Sequence, residues 1–155
     1  MGQIIQTEMT ELVTPGMANF SGNMHGGELL KLLDKVAYTC AMRYSGHYAV
    51  TLSVDNVLFK QPIHIGELVT CLATVNYVGR TSMEIGVGVV AEDPITGRRR
   101  HTNDCFLTFV AIDENSRPAP VPGLKLITEE DKERFEVGKR RRENREALER
   151  ELESG

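Results

Sequence analysis

The feature that most constrains the fold is a single long apolar stripe at helical spacing, in residues 25–44. Apolar side chains recur there every three or four residues, as they do along one face of an α-helix. They are Leu29, Leu30, Leu32, Leu33, Val36, Ala37, Cys40 and Ala41. At a rise of about 1.5 Å per residue such a helix is roughly 30 Å long, enough to cross a small domain. It therefore needs an extended partner surface to cover it.

Alternating segments after Gly46 predict that partner, an antiparallel sheet. Residues 47–59 form a predicted strand, and residues 101–113 contain a continuous apolar run typical of a central strand buried on both faces. Two long segments between them join in a hairpin that opens at Gly79. One face of the first carries Val69, Cys71, Ala73, Val75 and Tyr77, and one face of the second carries Met83, Ile85, Val87, Val89 and Ala91.

A weaker alternation near the amino terminus, at Ile5, Thr7, Met9 and Glu11, predicts an opening strand. The predicted order is one strand, one long helix, then three long antiparallel strands and one shorter one. The fold class is therefore α+β, with a sheet long enough to curl around the helix.

A charged segment follows three prolines in residues 118–122. Between Glu129 and Glu153, 18 of 25 residues are charged, which predicts a solvated helix, broken or frayed near Gly138. The expected organisation is a domain at residues 1–125 and a charged helical extension at residues 126–155.

Composition narrows the function classes. The chain has 155 residues, enough for one domain, and a net charge of −4, which argues against nucleic acid as the main partner. No apolar run approaches the roughly 20 residues that span a membrane, and no secretory signal is visible, so we expect a cytoplasmic protein without a membrane partner. Three cysteines in apolar stretches and four scattered histidines predict reduced packing residues and no metal site.

One acid, Asp34, lies at the border of the apolar stripe. With Leu33 at the centre of the stripe, Asp34 lies about 100° away, next to Leu30 and Ala41. A border acid is usually a solvated residue that meets a neighbouring lysine. Here, however, the loop that leads into the helix supplies backbone donors that could act on a substrate together with the carboxylate.

That loop is "GNMHGG", residues 22–27. The amides of Gly26 and Gly27 fall in the first turn of the predicted helix, where backbone N–H groups lack helical acceptors and carry the positive end of the helix dipole. Two residues without side chains let a carbonyl group approach these donors closely, although glycines also simply make tight turns. The spacing matches neither a dinucleotide fingerprint nor a Walker loop.

The pattern N-x-x-G-N-x-H-G-G-x-x-L-x-x-x-D, from Asn19 to Asp34, resembles the signature of hotdog-fold acyl-CoA thioesterases. The segments "FKQPIHIGE" and "VGRTSMEIGV" are similar to those of the subfamily that contains the YciA-like and brain acyl-CoA hydrolases. The resemblance covers residues 5–125. It implies a long central helix wrapped by a curved antiparallel sheet, with the charged C-terminal helix as an appendage.

The resemblance also implies roles for single residues. Asp34 corresponds to the catalytic carboxylate, Asn23 to its polar partner, and Gly27 to the amide that polarises the thioester carbonyl. His25 is expected to pack or to line the substrate. Active sites would lie at the interface of a homodimer, which is expected to assemble further into a hexamer, a trimer of dimers. Gly26 would join Gly27 in binding the substrate.

The residues named above suit the chemistry of thioester hydrolysis. A thioester needs a base or nucleophile and a polarised carbonyl, but no strong general acid. Asp34 could deprotonate water or attack directly to form an anhydride. Arg80, with Thr81 and Ser82, could bind the phosphates of coenzyme A, or Arg80 could be a solvated hairpin residue. No cofactor is expected, because coenzyme A is part of the substrate and product.

Two other functions fit the same fold. One is a dehydratase or hydratase of acyl thioesters, which pairs a catalytic histidine with an acid. The other is a non-catalytic module that binds acyl-CoA and regulates through the charged tail. A pure binder needs neither Asn23 nor Asp34, so hydrolysis of acyl-CoA to a free acid and coenzyme A is the main prediction.

Overall fold

The computed structural model describes residues 3–55 and 57–155, and in these it contains five strands and two α-helices. A 3-10 turn, Pro15–Met17, lies in the loop before the first helix. The elements in chain order are β1 Gln6–Leu12, α1 Gly26–Ser45, β2 Tyr48–Asp55, β3 Leu68–Val78, β4 Ser82–Glu92, β5 Arg99–Ile112 and α2 Glu129–Ser154. Position 56, within the predicted strand at residues 47–59, lies outside the described residues.

The strands form one sheet in the order β1-β3-β4-β5-β2, and every neighbouring pair is antiparallel. Helix α1 lies across one face and contacts all five strands. The α+β prediction of a long helix wrapped by an antiparallel sheet is confirmed, as is the hotdog architecture that the resemblance implied.

Helix α1 matches the predicted range of residues 25–44 to within one residue at each end. It stops at Gly46, whose φ of 73° is the left-handed conformation that ends many helices and that glycine adopts without steric cost. Its apolar stripe is buried against the sheet, with Leu33, Val36 and Ala37 fully inaccessible to solvent. The stripe therefore forms the centre of the core.

The three cysteines belong to this core. All are buried and none forms a disulfide. Burial penalises the thiolate and raises the pKa of Cys40 to about 11 and those of Cys71 and Cys105 to about 12. The prediction of reduced packing cysteines is confirmed.

Strand β3 departs from the predicted alternation at one residue. The register between β3 and β4 shifts between Val75 and Tyr77, the signature of a β-bulge. Val75 remains in the core beneath α1, but Tyr77 turns to the opposite face, where its ring lies 4.8 Å, centroid to centroid, from that of Phe135. The prediction that Tyr77 shares the core face of Val75 was wrong, because the bulge inserts an extra residue.

That opposite face is covered by α2. The helix is continuous over 26 residues, so the predicted break near Gly138 was wrong. It begins with a capping box in which Thr128 and Asp131 bind each other's backbone N–H groups. Gly138 is its one buried residue and packs on Tyr77. A glycine that weakens an isolated helix instead allows this helix to approach the sheet closely.

Ion pairs complete the contact between α2 and the sheet. Glu84, only 4% exposed, accepts hydrogen bonds at 2.6 and 3.0 Å from Arg141, whose guanidinium also lies 3.6 Å from the ring centroid of Phe106. Arg145 donates to Thr108 at 2.8 Å and lies 3.7 Å from the carboxylate of Asp55. The charged helix is therefore docked through part of its basic side chains rather than being solvated all around.

Replacing Gly138 with alanine tests this docking. Alanine favours an exposed helix by about 1 kcal/mol over glycine. At Gly138, however, the new Cβ would lie 2.8 Å from Cβ of Tyr77 and 3.0 Å from Oε1 of Glu84. Overpacking of this kind costs about 1–3 kcal/mol. We expect Gly138→Ala to lower the urea midpoint, whereas Asn144→Ala at an exposed α2 position should keep or raise it. A Gly138→Ala protein more stable than wild type would contradict close packing here.

Neither α1 nor α2 is both long and apolar enough to cross a membrane.

Candidate active site

Asp34 lies on the side of α1 that faces β2, and its side chain is half-buried. Its Oδ1 accepts a hydrogen bond from the Thr51 hydroxyl at 2.8 Å. Thr51 pairs in register with Phe109, whose side chain is fully buried, so Thr51 points toward α1. The hydroxyl fixes one carboxylate oxygen and leaves the other available.

Asp34 lines a cavity of about 590 Å³, here named the Asp34 cavity. Its walls are mainly apolar, with one lysine besides the acid. The lining residues are Gly27, Leu30, Lys31, Leu33, Asp34, Val54, Val57, Phe59 and Leu107. A carboxylate beside an apolar space is suited to a reaction on a substrate that carries an apolar chain.

Asn19 organises the loop that leads into α1. Its Oδ1 accepts hydrogen bonds from the backbone N–H and hydroxyl of Ser21, at 3.0 and 2.8 Å, and from the N–H of Asn23 at 3.2 Å. The chain then turns at Gly22, whose φ is 80°. This is a local side-chain-to-backbone turn of the kind asparagine favours.

Asn23 ties the same loop to the connection between β2 and β3. Its Oδ1 lies 2.8 Å from Nδ1 of His64. The backbone N–H of His64 in turn donates to Glu67 at 2.7 Å, and Glu67 forms an ion pair with Arg100, also at 2.7 Å. Asn23 is therefore engaged in a polar network that holds the two loops together.

A second cavity of about 350 Å³, here named the Asn23 cavity, lies beside this network. It is lined by Asn19, Asn23, Met24, Gly26, Leu29, Phe59, Gln61, Pro62 and Ile63. Gly26 thus borders one cavity and Gly27 the other, and Phe59 lines both. Asn23 and Asp34, predicted as partners, lie in different cavities within one chain.

The amino terminus of α1 is placed as predicted. Gly26 and Gly27 are its first two residues, so their N–H groups lie among those without helical acceptors. His25 precedes them as the N-cap residue, is exposed, and lines neither the Asp34 cavity nor the Asn23 cavity. Its predicted role in packing or substrate lining stays a prediction.

The hairpin between β3 and β4 presents Arg80 to solvent, with Thr81 and Ser82 half-buried beside it. A Cβ at Gly79 would lie 2.8 Å from the Ser82 hydroxyl and would collide with the guanidinium of Arg142. The hairpin and α2 therefore meet at Gly79, which brings a second arginine next to the predicted phosphate-binding residues.

The basic runs at residues 97–101 and 139–142 both contain arginines that are paired with acids. Arg99 lies 3.3 Å from Glu92, and Arg142 itself lies 2.9 Å from Glu146. Arg100 and Arg141 are paired as well, so both runs are better described as charged surface than as phosphate-binding sites.

Sequence reasoning missed Thr51 and the loop role of Asn19. A signal for Thr51 existed, since period-two alternation from buried Ala49 places a hydroxyl on the inward face of β2, where an apolar side chain is expected. For Asn19 the signal was its position two residues before Ser21 and four before Asn23, which suits a side-chain-closed turn.

Known proteins similar to this chain indicate its family. Residues 21–97 match the thioesterase superfamily. Protein VdlD of Helicobacter pylori is 52% identical over 137 residues, which are 88% of this chain and 78% of that protein. YkhA of Bacillus subtilis, an uncharacterized acyl-CoA thioester hydrolase, is 38% identical over 79% of this chain and 71% of its own. The rat cytosolic acyl coenzyme A thioester hydrolase is 36% identical over 88% of this chain but 36% of its own length.

Solved structures are similar over nearly the whole chain. An apo-hexameric acyl-CoA thioesterase has a TM-score of 0.88 at 38% identity and covers 92% of both chains. The Staphylococcus aureus acyl-CoA hydrolase, solved with butyryl coenzyme A, coenzyme A and coenzyme A disulfide, has a TM-score of 0.88 at 31% identity and covers 96% of this chain and 91% of its own.

Three more structures of the Staphylococcus aureus enzyme each carry one replacement by alanine, of an asparagine, an aspartate or a threonine. The asparagine precedes the aspartate by fifteen residues, and the threonine follows it by seventeen. The match at the superfamily level, the identities and the shared fold confirm the resemblance seen in the sequence. The chain belongs to the thioesterase superfamily, in its family of hotdog-fold acyl-CoA hydrolases.

Proposed function

We propose that this protein hydrolyses acyl-CoA thioesters to a free carboxylic acid and coenzyme A. The observation that carries the proposal is the Asp34 carboxylate, held by Thr51 at 2.8 Å in a mainly apolar cavity that begins at the amino terminus of α1. Relatives named as acyl-CoA thioester hydrolases support the same activity.

Asp34 supplies the attack on the carbonyl carbon. As general base it removes a proton from water, the hydroxide oxygen bonds to the carbonyl carbon, and the carbon–sulfur bond breaks to release the thiolate of coenzyme A. As nucleophile its carboxylate forms an anhydride with release of the same thiolate, and water then cleaves the anhydride. Both routes consume one water and yield one acid and one thiol.

The amides of Gly26 and Gly27 stabilise the negative charge that develops on the carbonyl oxygen. Backbone N–H groups at a helix amino terminus are already oriented and carry partial positive charge. Because Gly27 borders the Asp34 cavity, its amide is the nearer donor for a thioester attacked by Asp34.

Asn19 and Thr51 complete the proposed set. In this chain Asn19, Asp34 and Thr51 have the spacing of the three residues replaced in the Staphylococcus aureus enzyme. Asn23, which the sequence suggested as the polar partner, has its side-chain oxygen bound to His64. We therefore assign Asn23 to holding the loop and Asn19 to the reaction, with Thr51 orienting the carboxylate.

The assembly that suits this site is a homodimer. Among the described residues β2 has a strand partner on one side only, and it exposes large apolar side chains along that edge: Tyr48, Val50, Leu52 and Val54. An unprotected apolar edge of this kind is a template for pairing with a second chain. Val54 also lines the Asp34 cavity, so pairing through β2 would place that cavity at the interface.

Further assembly into a hexamer, a trimer of dimers, is proposed by analogy with the relative solved as a hexamer. A cytoplasmic location is proposed because the rat relative is named a cytosolic enzyme. No cofactor is invoked, since the carboxylate and the amides supply the whole reaction and coenzyme A is part of the substrate.

Release of free thiol from butyryl-CoA, followed with a thiol-reactive chromophore, tests the proposal. Hydrolysis raises the thiol signal, whereas hydration of an unsaturated acyl-CoA, or binding alone, does not. Tight binding of acyl-CoA without thiol release over acyl lengths from acetyl to palmitoyl would contradict hydrolysis.

The hairpin gives a prediction about coenzyme A. Replacing Arg80 with alanine should raise KM for acyl-CoA about tenfold and change kcat less than about twofold, because a phosphate contact far from the reacting carbonyl stabilises the ground state and the transition state equally. Acyl-pantetheine lacks the nucleotide and should be unaffected. Arg98→Ala, at the exposed turn before β5, is the matched control. Equal losses on both substrates would rule out a phosphate contact.

A further inference from the structure

Phe59 borders both cavities near the start of α1. Its ring lines both the Asp34 cavity, of about 590 Å³, and the Asn23 cavity, of about 350 Å³. Among residues 3–55 and 57–155 it is the one residue common to the two linings. The side chain is 52% exposed, so it covers a surface rather than filling the core.

The ring lies on the backbone at the start of α1. A Cβ at Gly26 would be 3.4 Å from the nearest ring carbon, and two more ring carbons would be within 3.7 Å. The absence of a side chain at Gly26 therefore lets an aromatic ring cover the first turn of the helix directly. Gly27 remains uncovered beside the Asp34 cavity.

The backbone that carries Phe59 is anchored from the sheet. Asn103, 3% exposed on β5, donates from its side-chain amide to the carbonyl oxygen of Leu58. A buried amide that binds the preceding residue restricts where the ring can go. The backbone next to Phe59 is therefore held in place by Asn103, and substitution of Phe59 changes the ring without removing this anchor.

We propose that Phe59 is a specificity-determining residue that limits the length of the acyl chain by closing the Asp34 cavity toward the Asn23 cavity. This inference rests on the proposed function, because it assigns the Asp34 cavity to the acyl chain. Leu30, Val54 and Leu107 provide an apolar surface for the first carbons beyond the carbonyl. Beyond them the ring stops the chain, so further methylenes gain no burial.

Without the ring the two cavities join, and each further methylene that becomes buried should raise kcat/KM about fourfold. The experiment measures kcat/KM for acyl-CoAs from acetyl to palmitoyl with wild type, Phe59→Ala and Phe59→Leu. We expect the ratio of the palmitoyl to the butyryl value to rise at least about tenfold in Phe59→Ala and by an intermediate factor in Phe59→Leu.

Leu58→Ala is the matched control, since Leu58 is 57% exposed in the same loop and lines neither cavity. Its length profile should equal that of wild type. A Phe59→Ala profile parallel to wild type, or a Leu58→Ala shift of the same size, would overturn the proposal. Should Phe59→Ala fail to fold, the Phe59→Leu ratio decides.

A binding readout separates this inference from the proposed function. Calorimetry with butyl- and hexadecyl-CoA thioethers, which cannot be hydrolysed, measures the length preference without turnover. If wild type releases no thiol, the proposed hydrolysis is refuted but the proposed role of Phe59 is not. A stronger preference of Phe59→Ala for the long thioether would still support that role. Equal length preferences in wild type and Phe59→Ala would overturn the proposed role of Phe59 even if hydrolysis is observed.

Discussion

Replacing Asp34 with asparagine should lower kcat for acyl-CoA hydrolysis by at least about 100-fold, the usual contribution of a catalytic carboxylate. Asparagine has nearly the same size, and its side-chain oxygen can still accept the hydrogen bond from Thr51. It cannot remove a proton from water or attack a thioester. The change therefore removes the chemistry and keeps the packing between α1 and β2.

The measurement is single-substrate kinetics with thermal unfolding of the same samples. Glu28→Gln is the control, because it makes the same carboxylate-to-amide change on α1 at a residue that lines neither the Asp34 cavity nor the Asn23 cavity. It should retain near-normal kcat. A folded Asp34→Asn protein with near-normal kcat would show that the carboxylate is structural and would remove the basis of the proposed mechanism.

Two inactive chains should restore activity when they are combined. Asn19 lines the Asn23 cavity and Asp34 lines the other, so within one chain they belong to separate spaces. If β2 edges pair across a two-fold axis, Asn19 of one protomer completes the site that holds Asp34 of its partner. In a mixed dimer of Asn19→Ala and Asp34→Ala chains, one site then carries both changes and the other carries neither.

Random pairing after co-refolding makes about half of the dimers mixed, so roughly a quarter of wild-type activity should appear. Each variant refolded alone is the baseline, and differently tagged chains verify that mixed dimers form. Mixed dimers without recovered hydrolysis would show that both residues serve one site within a single chain. The same experiment with Asn23→Ala discriminates between the two asparagines, since a chain that changes only the loop network keeps much of its own activity.

The sequence by itself determined the elements whose periodicity is long and uninterrupted. The stripe of α1 and the alternation of β4 each repeat over many residues, so local preference and core burial agree, and both were predicted almost to the residue. The position of Asp34 at the border of the stripe follows from the same helical geometry. So does the placement of Gly26 and Gly27 in the first turn.

Features that depend on two distant segments were decided by the tertiary structure. One extra residue in β3 turned Tyr77 to the outer face, and Gly138 then became the contact point for α2 instead of a break in it. Neither result can be read from local propensity, because a bulge and a close helix–sheet approach are stabilised only by the partner element.

The site shows the same division. The sequence predicted a role for the carboxylate and the glycine amides, which lie within eight residues of each other along one helix. Thr51 reaches Asp34 from β2, and Phe59 reaches Gly26 from the loop after it. A hydrogen bond or a ring contact between segments distant in sequence exists only once the sheet has wrapped the helix, since the strand register sets which side chains meet.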